Sequence, residues 1–428
     1  MSVLIKKGHV LDPSTGVDGI RDLYIKNGLV AAVGKNLEIA ADVVIDAEGL
    51  YVMPGFIDLH VHLREPGFEY KETVLTGSKA AARGGFTTIC PMPNTKPAID
   101  SKEMIEWLKE KEKKEALVHI LPIGAVTRGQ EGEELADIAG MAASGAAAIS
   151  EDGKSVMSTS LYREGMLKAK EAGIPVFAHC EDKNLAGDGV INEGNIAKEL
   201  HLPGITNAVE DIIAIRDILL AKETGVRLHL CHCSTKDSVA FLKWAKKEGL
   251  PVTGEVCPHH FTLTDDDIPC DDSNYKMNPP LRSKADVEAL KKGLEEGILD
   301  VIATDHAPHS KEEKNKSFLH SPFGIVGLET AFALSYTELV EPGILSLMEL
   351  VKKLSYNPAD ILGIERGSLR EGRAADIVIV DIGEWYKIDK ETFASMGRNT
   401  PFHGRRVKGK VKYTLVDGQV VYKDGQKL

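Results

Sequence analysis

The hydrophobic positions follow one pattern at the two ends of the chain and another in the middle. Residues 1–50 and 373–426 are short Val/Ile/Leu runs separated by turn dipeptides such as Asn27-Gly28 and Asp417-Gly418. This pattern is typical of β-hairpins. Since neither end is long enough to build an ordinary sheet alone, pairing them is the simplest way to bury both. We therefore predict one small β-sandwich domain assembled from residues 1–50 and 373–428.

In the middle of the chain, short apolar runs alternate with amphipathic helical stretches such as Asp211–Leu220, which carry apolar residues three and four positions apart. Eight units of this kind favour a (β/α)₈ barrel over an open doubly wound sheet. We predict an α/β fold with a TIM-like barrel over residues 51–372. The eight predicted strands are Gly55–His60, Thr87–Pro91, Val118–Ile123, Ala146–Ser150, Pro175–His179, Arg227–His232, Val252–Cys257 and Val301–Asp305.

Composition and charge narrow the class of protein. The chain has 428 residues, of which 43% are hydrophobic and 27% charged, close to ordinary globular usage. A formal net charge of -12 disfavours nucleic acid as a partner, because phosphates would be repelled. No apolar run reaches 18 residues, and the start turns polar after three apolar residues. We therefore expect no membrane association and a cytoplasmic location.

Polar residues that do not belong in a barrel core mark a candidate site. Catalytic groups of such barrels lie at the carboxyl ends of the strands, and imidazoles with carboxylates are a ligand set suited to zinc. His60 and His62 project the same way because a strand alternates its faces. A single histidine at a strand end is more often structural, but a convergent group is hard to explain that way. The candidate ligands are His60, His62, Asp152, His179, His232 and Asp305.

Two other features leave alternatives open. The segment Ala307–Gly324, with its charged core Lys311–Lys316, follows the eighth strand and fits either a lid over the site or a solvated surface loop. His229 is expected to be a strand histidine that points away from the site.

Several segments make the resemblance to a family specific. They are Gly55–Gly67, Met92-Pro-Asn-Thr95, Met277-Asn-Pro-Pro-Leu-Arg282 and Thr304-Asp-His-Ala-Pro-His309. The chain resembles the dihydroorotases, in the cyclic amidohydrolase branch of the amidohydrolase superfamily, over nearly its whole length. His-x-His is shared across the superfamily, whereas Leu63-Arg-Glu-Pro-Gly67 and Met92-Pro-Asn-Thr95 are more diagnostic.

The resemblance implies a reaction and a role for each site residue. It implies reversible cyclisation of N-carbamoyl-L-aspartate to L-dihydroorotate in pyrimidine biosynthesis, with a zinc-activated hydroxide as nucleophile of the hydrolytic direction. His60 and His62 would bind one zinc and His179 and His232 a second, with two ions favoured over one. Asp305 would be both a ligand and the proton shuttle. Arg64, Asn94 and His309 would hold the substrate carboxylate, and Asn278 would lie against the pyrimidine ring.

One departure from the superfamily concerns the bridge between the metals. Many members use a carboxylated lysine on strand four, but here that strand ends Ile149-Ser-Glu-Asp-Gly153 without a lysine. The resemblance suggests Asp152 as the substitute. There are two alternatives: Asp152 only caps the turn at Gly153, or Lys154 reaches into the site.

Two competing functions remain at this stage. A hydantoinase or allantoinase would act on rings without the carboxylate that Arg64 and Asn94 are expected to hold. An inactive subunit supporting an aspartate transcarbamoylase would have lost ligands, and none is missing. We also expect a homodimer, the commonest oligomer, with aspartate transcarbamoylase as a candidate partner.

Overall fold

The computed structural model describes residues 1–426. Its strands are β1 (Ser2–Asp12), β2 (Val17–Lys26), β3 (Leu29–Gly34), β4 (Val43–Asp46), β5 (Tyr51–Pro54), β6 (Phe56–Val61), β7 (Phe86–Pro91), β8 (His119–Ile120), β9 (Ile123–Ala125), β10 (Ala148–Ser150), β11 (Val176–Ala178), β12 (Ile191–Asn192), β13 (Gly204–Ile205), β14 (Leu228–Leu230), β15 (Val252–Val256), β16 (Val301–Ile302), β17 (Ile377–Lys387), β18 (Arg406–Val416) and β19 (Gln419–Lys423).

The helices of the described residues lie mainly between the strands of the middle segment. They are α1 (Val74–Gly84), α2 (Lys102–Glu115), α3 (Ile138–Ala143), α4 (Thr159–Glu171), α5 (Lys183–Ala186), α6 (Asn195–Glu199), α7 (Ala208–Thr224), α8 (Lys236–Lys247), α9 (Pro258–Thr262), α10 (Lys284–Glu295), α11 (Lys311–Lys314), α12 (Ala331–Ser335), α13 (Leu347–Val351) and α14 (Asn357–Leu362). Tyr336–Val340 continues α12 as a π-helical turn, and Lys352–Tyr356 likewise links α13 to α14.

The two ends of the chain form one sheet. Its strand order is β19-β18-β17-β5-β1-β2-β3, and β4 pairs with β1 off this path. The short strand β5 joins the ends, because it pairs parallel with β1 and antiparallel with β17. Apolar side chains from both ends, including Ile5, Leu23 and Ile379, pack in one buried cluster. Of the range predicted for this domain, residues 427 and 428 lie outside the described residues.

The middle of the chain forms the barrel. Strands β16-β15-β14-β11-β10-β9 make one parallel sheet and β6-β7-β8 another. A backbone hydrogen bond from His62 N to His306 O, 2.8 Å long, links the first barrel strand to the segment after the last. This structure confirms the predicted fold class of a (β/α)₈ barrel with a small β-domain built from both termini.

The third barrel strand is interrupted and runs to Ala125, beyond the predicted end at Ile123. It is divided into β8 and β9 around Leu121 and Pro122, because a proline has no N–H to contribute to the ladder. The amphipathic helices begin with capping side chains, for example Thr235 before α8 and Ser283 before α10, which satisfy otherwise free backbone N–H groups. Among residues 1–426 no helix has the length and apolar character needed to cross a bilayer.

Candidate metal centre

The six predicted ligands lie together at the carboxyl end of the barrel. His60 is in β6 and His62 follows it, while Asp152, His179, His232 and Asp305 follow β10, β11, β14 and β16 within three residues. All six are buried, with at most 6% of their surface exposed. Parallel strands bring their carboxyl ends to one rim of the barrel, so residues far apart in sequence meet there.

The side chains face a common centre. His60 Nε2 lies 3.2 Å from Asp152 Oδ1 and 3.6 Å from Asp305 Oδ1, and His62 Nε2 lies 3.0 Å from the same Asp305 oxygen. On the other side, His179 Nδ1 lies 2.9 Å from His232 Nε2. Asp152 is central, because Oδ1 faces His60, His179 and His232 while Oδ2 lies 3.6 Å from His62 Nε2.

The cluster fits a divalent metal ion better than it fits a set of hydrogen bonds. His60 Nε2 and Asp152 Oδ1 are buried and have no hydrogen-bond partner within the described chain. Two tetrahedral ligands of a zinc ion lie about 3.3 Å apart, given ligand distances of about 2.0–2.1 Å. The separations of 3.0–3.6 Å around His60 and Asp305 are of this size. Three groups of three potential ligands share His60: one with His62 and Asp305, one with Asp152 and His232, and one with Cys231 and Glu255.

The electrostatics keep both carboxylates ionised. Burial would raise the pKa of Asp305, but the hydrogen bond with His62 and the charges of neighbouring histidines lower it far below its ordinary value. Burial would likewise raise the pKa of Asp152, and His60, His179 and His232 lower it well below its usual range. Burial opposes protonation of His179, yet Asp152 and Glu181 raise its pKa to about 10. The centre thus concentrates negative charge on two short side chains, as a cation site requires.

The backbone is strained where it carries site residues. His232, Asp305 and Arg64 have φ values of 32°, 47° and 62°, in the left-handed region that non-glycine residues seldom adopt. Such conformations persist only when surrounding contacts fix them, and they cluster at functional sites.

A cavity of about 150 Å³ opens onto the cluster and is lined by Arg64, Asn94 and Asn278 among others. Arg64 is partly buried, and its Nε donates to Pro308 O at 3.1 Å. No carboxylate of residues 1–426 forms an ion pair with this guanidinium; its other contact is to His309 Nε2 at 3.3 Å. A guanidinium without a carboxylate beside a cavity is a ready site for an anionic group.

Two asparagines of the cavity also hold the centre in place. Asn94 Oδ1 lies 2.9 Å from His62 Nδ1, and its Nδ2 donates to Asp152 Oδ2 at 3.1 Å. Asn278 Nδ2 donates to Glu181 Oε1 at 3.1 Å. Each amide nitrogen carries a second hydrogen, so both asparagines can also bind a ligand.

His309 occupies a different position from the other predicted substrate-binding residues. It is adjacent to Arg64, and its Nε2 is 2.7 Å from Phe323 O. Its Nδ1 is 3.3 Å from Lys71 Nζ. Burial and the nearby cations Arg64 and Lys71 lower the pKa of His309, so its imidazole is neutral. His309 thus contacts Arg64 and is not among the residues lining the cavity, and its contact with the substrate carboxylate stays a prediction.

The segment after strand eight is anchored by hydrogen bonds from buried lysine side chains. Lys314 is buried, and its Nζ donates to Pro322 O and Gly324 O, both at 3.0 Å. Lys276 Nζ donates to Phe318 O and Ser321 O, both at 2.7 Å. Phe323 and Gly324 from this segment line the cavity. Two buried lysine side chains therefore hold the segment against the cavity, so it is not a solvated loop at Lys314, and its role as a lid stays a prediction.

Three acids at the site were missed by the sequence analysis: Asp58 and Glu255, which are buried, and Glu181, which is partly buried. Asp58 accepts hydrogen bonds from His60 N and from the backbone and hydroxyl of Thr304, and so ties the first strand to the turn that carries Asp305. Glu181 Oε2 lies 3.0 Å from His179 Nε2. Glu255 lies between His60 and His229. An acid at alternate strand positions resembles a solvent-facing residue in sequence, so no local pattern distinguishes it.

Comparisons with known proteins agree over the whole chain. A family model described as "Dihydro-orotase-like" matches residues 49–238, and one described as "Amidohydrolase family" matches residues 320–422. The chain is 48% identical over 427 residues to a dihydroorotase of Caldanaerobacter subterraneus subsp. tengcongensis, covering 100% of this chain and 99% of the relative. It is also 48% identical to a dihydroorotase of Geobacillus sp., with 100% of both chains covered.

Solved structures of related enzymes share the fold. An L-hydantoinase (dihydropyrimidinase) from Arthrobacter aurescens superposes with a TM-score of 0.88 at 28% identity, covering 100% of this chain and 97% of the other. A D-hydantoinase gives 0.87 at 27% identity. The sequence is much nearer to the dihydroorotases than to these hydantoinases, so the hydantoinase alternative is not favoured.

Proposed function

The chain belongs to the dihydroorotase family, and from this membership we propose that it catalyses the reversible cyclisation of N-carbamoyl-L-aspartate to L-dihydroorotate in pyrimidine biosynthesis. It is a cyclic amidohydrolase. The observation that carries the substrate assignment is Arg64, whose guanidinium faces the same cavity as the ligand cluster and has no ion-pair partner in the described chain. Dihydroorotate presents a carboxylate beside its cyclic amide, whereas hydantoin and allantoin present none.

We assign the metal to the cluster described above. His60, His62 and Asp305 would hold one zinc ion, and Asp152, His179 and His232 a second, since nitrogen and carboxylate ligands suit zinc. Asp152 would be the residue shared by two ions, because Oδ1 lies near His60, His179 and His232 while Oδ2 lies near His62. When bound, the metal lowers the pKa of a water ligand and polarises a carbonyl oxygen.

The remaining chemistry falls to side chains of the cavity. Arg64 binds the substrate carboxylate, and the second amide hydrogens of Asn94 and Asn278 orient the substrate. These contacts set the scissile amide over the cluster, where positioning alone removes much of the entropic barrier. The segment containing Phe323 and Gly324 covers the cavity and excludes water.

Asp305 moves the proton. In the hydrolytic direction, water adds to the ring carbonyl carbon, the C–N bond breaks, and Asp305 carries a proton from the water to the departing nitrogen. In the synthetic direction the side-chain carboxylate of the substrate takes up one proton from solvent, and Asp305 carries the proton of the ureido nitrogen to the same oxygen. The C–N bond forms as the C–O bond breaks, and that oxygen leaves as water. The histidines around Asp305 keep its carboxylate unprotonated before the reaction, so an oxygen is free to receive the proton.

The test is a substrate comparison on zinc-loaded protein. Ring opening of dihydroorotate, hydantoin and allantoin is followed in parallel by absorbance, with metal content measured on the same samples. We expect turnover of dihydroorotate far above the other two, and loss of turnover after chelation with recovery when zinc returns. Preference for hydantoin or allantoin would contradict the substrate, and full turnover by metal-free protein would contradict the metal. A cytoplasmic location, a homodimer and a transcarbamoylase partner stay predictions.

A further inference from the structure

A buried carboxylate beneath the cluster has no role in the chemistry described so far. Glu255 lies in β15, one residue before its end, and is completely buried. Its Oε1 lies 3.1 Å from His60 Nδ1, and its Oε2 lies 3.0 Å from His229 Nε2. His229 is itself completely buried, and its Nδ1 lies 2.8 Å from Thr253 Oγ1. The chain of contacts therefore runs from the cluster into the barrel interior.

The contact with Glu255 decides which nitrogen of His60 is free. A carboxylate accepts hydrogen bonds only, so His60 must carry its proton on Nδ1 to donate to Glu255 Oε1. That leaves the lone pair on Nε2, the atom that faces Asp152 and lacks a hydrogen-bond partner in the described chain. Glu255 Oε1 also accepts from His232 N at 3.3 Å. One carboxylate thus touches two of the proposed metal ligands.

The carboxylate of Glu255 is held by imidazoles on both of its oxygens. Oε1 accepts from His60 Nδ1 and Oε2 from His229 Nε2, so neither oxygen of this buried group is left without a partner. His229 supplies the second contact and does not line the cavity. The expectation that it points away from the site therefore missed its link to the cluster through Glu255. Neither residue lines the cavity.

We propose that Glu255 is a positioning residue that fixes the tautomer and orientation of His60 and strengthens it as a metal ligand, and that His229 holds the Glu255 carboxylate in place. Carboxylates that accept the second N–H of a ligand histidine commonly raise its basicity and metal affinity. This inference rests on the metal assignment made above. It differs from a merely structural ion network, which would affect unfolding without changing metal binding.

The experiment compares Glu255→Gln with Glu329→Gln. Glutamine keeps the size and one acceptor oxygen of Glu255 but removes the charge. Glu329 is a matched control, since it is also a buried carboxylate and accepts from Ala394 N and Ser395 N, with Arg83 as its ion-pair partner, away from the cluster. Zinc affinity is measured by chelator competition, the absorption spectrum is recorded on cobalt-substituted protein, and thermal unfolding is followed on metal-free protein.

For Glu255→Gln we expect zinc affinity to fall about 10- to 100-fold and the cobalt spectrum to change. At saturating zinc, kcat should fall while KM for dihydroorotate stays near the parent value, because Glu255 does not reach the cavity. Glu329→Gln should keep the parent affinity and spectrum. Unchanged affinity and spectrum in Glu255→Gln, or equal losses in both variants, would overturn the proposal.

If Glu255→Gln does not fold, His229→Gln decides the question. Within the described chain, the His229 side chain forms no hydrogen bond with a proposed metal ligand. We therefore expect His229→Gln to lose zinc affinity as Glu255→Gln does, but by a smaller factor. An unchanged affinity would overturn the proposal. The parent protein separates this inference from the proposed function. If the parent binds no metal and opens no ring, the proposed function is wrong. If the parent does bind metal and open the ring, but Glu255→Gln binds zinc as tightly as the parent, only this inference is refuted.

Discussion

Replacing Arg64 by lysine tests how the substrate carboxylate is held. Lysine keeps the positive charge but loses the planar fork that grips both oxygens of a carboxylate. It also loses the Nε contact to Pro308 O and the Nη2 contact to His309 that aim the fork into the cavity. One charge-assisted hydrogen bond contributes about 1.5–3 kcal/mol. At about 1.4 kcal/mol per factor of ten, the expected loss in kcat/KM is about 10- to 150-fold.

The assay compares dihydroorotate with the same ring lacking its carboxylate, dihydrouracil, for parent and Arg64→Lys protein. The variant should lose activity on dihydroorotate, and any trace activity on dihydrouracil should stay as it was. Arg163→Lys is the control, because Arg163 is an exposed arginine paired with Glu223 on the outside of the barrel. Equal use of dihydroorotate by Arg64→Lys and parent, with zinc content unchanged, would refute the assignment of Arg64 to the carboxylate.

Three further changes test other parts of the structure. Asp305→Asn keeps the size of the proton shuttle but removes its basicity, so turnover should fall about 10²-fold or more; a parent-like rate at saturating zinc would remove Asp305 from the proton transfer. Asp152→Ala should lower affinity for at least one metal about 10-fold or more, and apoprotein of the parent should regain activity with zinc alone, so a bicarbonate requirement in reconstitution would point to a carboxylated lysine instead. Lys314→Met should lower the free energy of unfolding by about 1–3 kcal/mol, because buried carbonyl oxygens lose their donor, while the exposed Lys316→Met should not. Burial lowers the pKa of Lys314 to about 7, so the unfolded chain binds more protons above that pH, and parent stability should rise relative to Lys314→Met between about pH 7 and 10 in denaturant titrations.

The sequence alone determined the architecture and the inventory of ligands. Eight apolar runs separated by amphipathic helices predicted the barrel, because burial requires the same periodicity wherever a strand or helix contacts a core. Histidines and aspartates at strand ends predicted the cluster, because parallel strands bring those ends to one rim. The strand ends themselves were displaced by up to three residues, as at Val301–Ile302, since local patterns do not show where a ladder stops.

Only the tertiary structure decided how those ligands are held. Glu255 is 195 positions from His60, and Thr304 is 246 positions from Asp58, so no spacing in the chain marks these pairs. Lys314 looks like one charge among several in a polar loop, yet its ammonium group is buried among backbone carbonyls. A buried polar group needs a partner, and which partner it finds depends on how the chain closes. The sequence therefore predicted which residues could bind a metal, and the fold decided which carboxylates orient them.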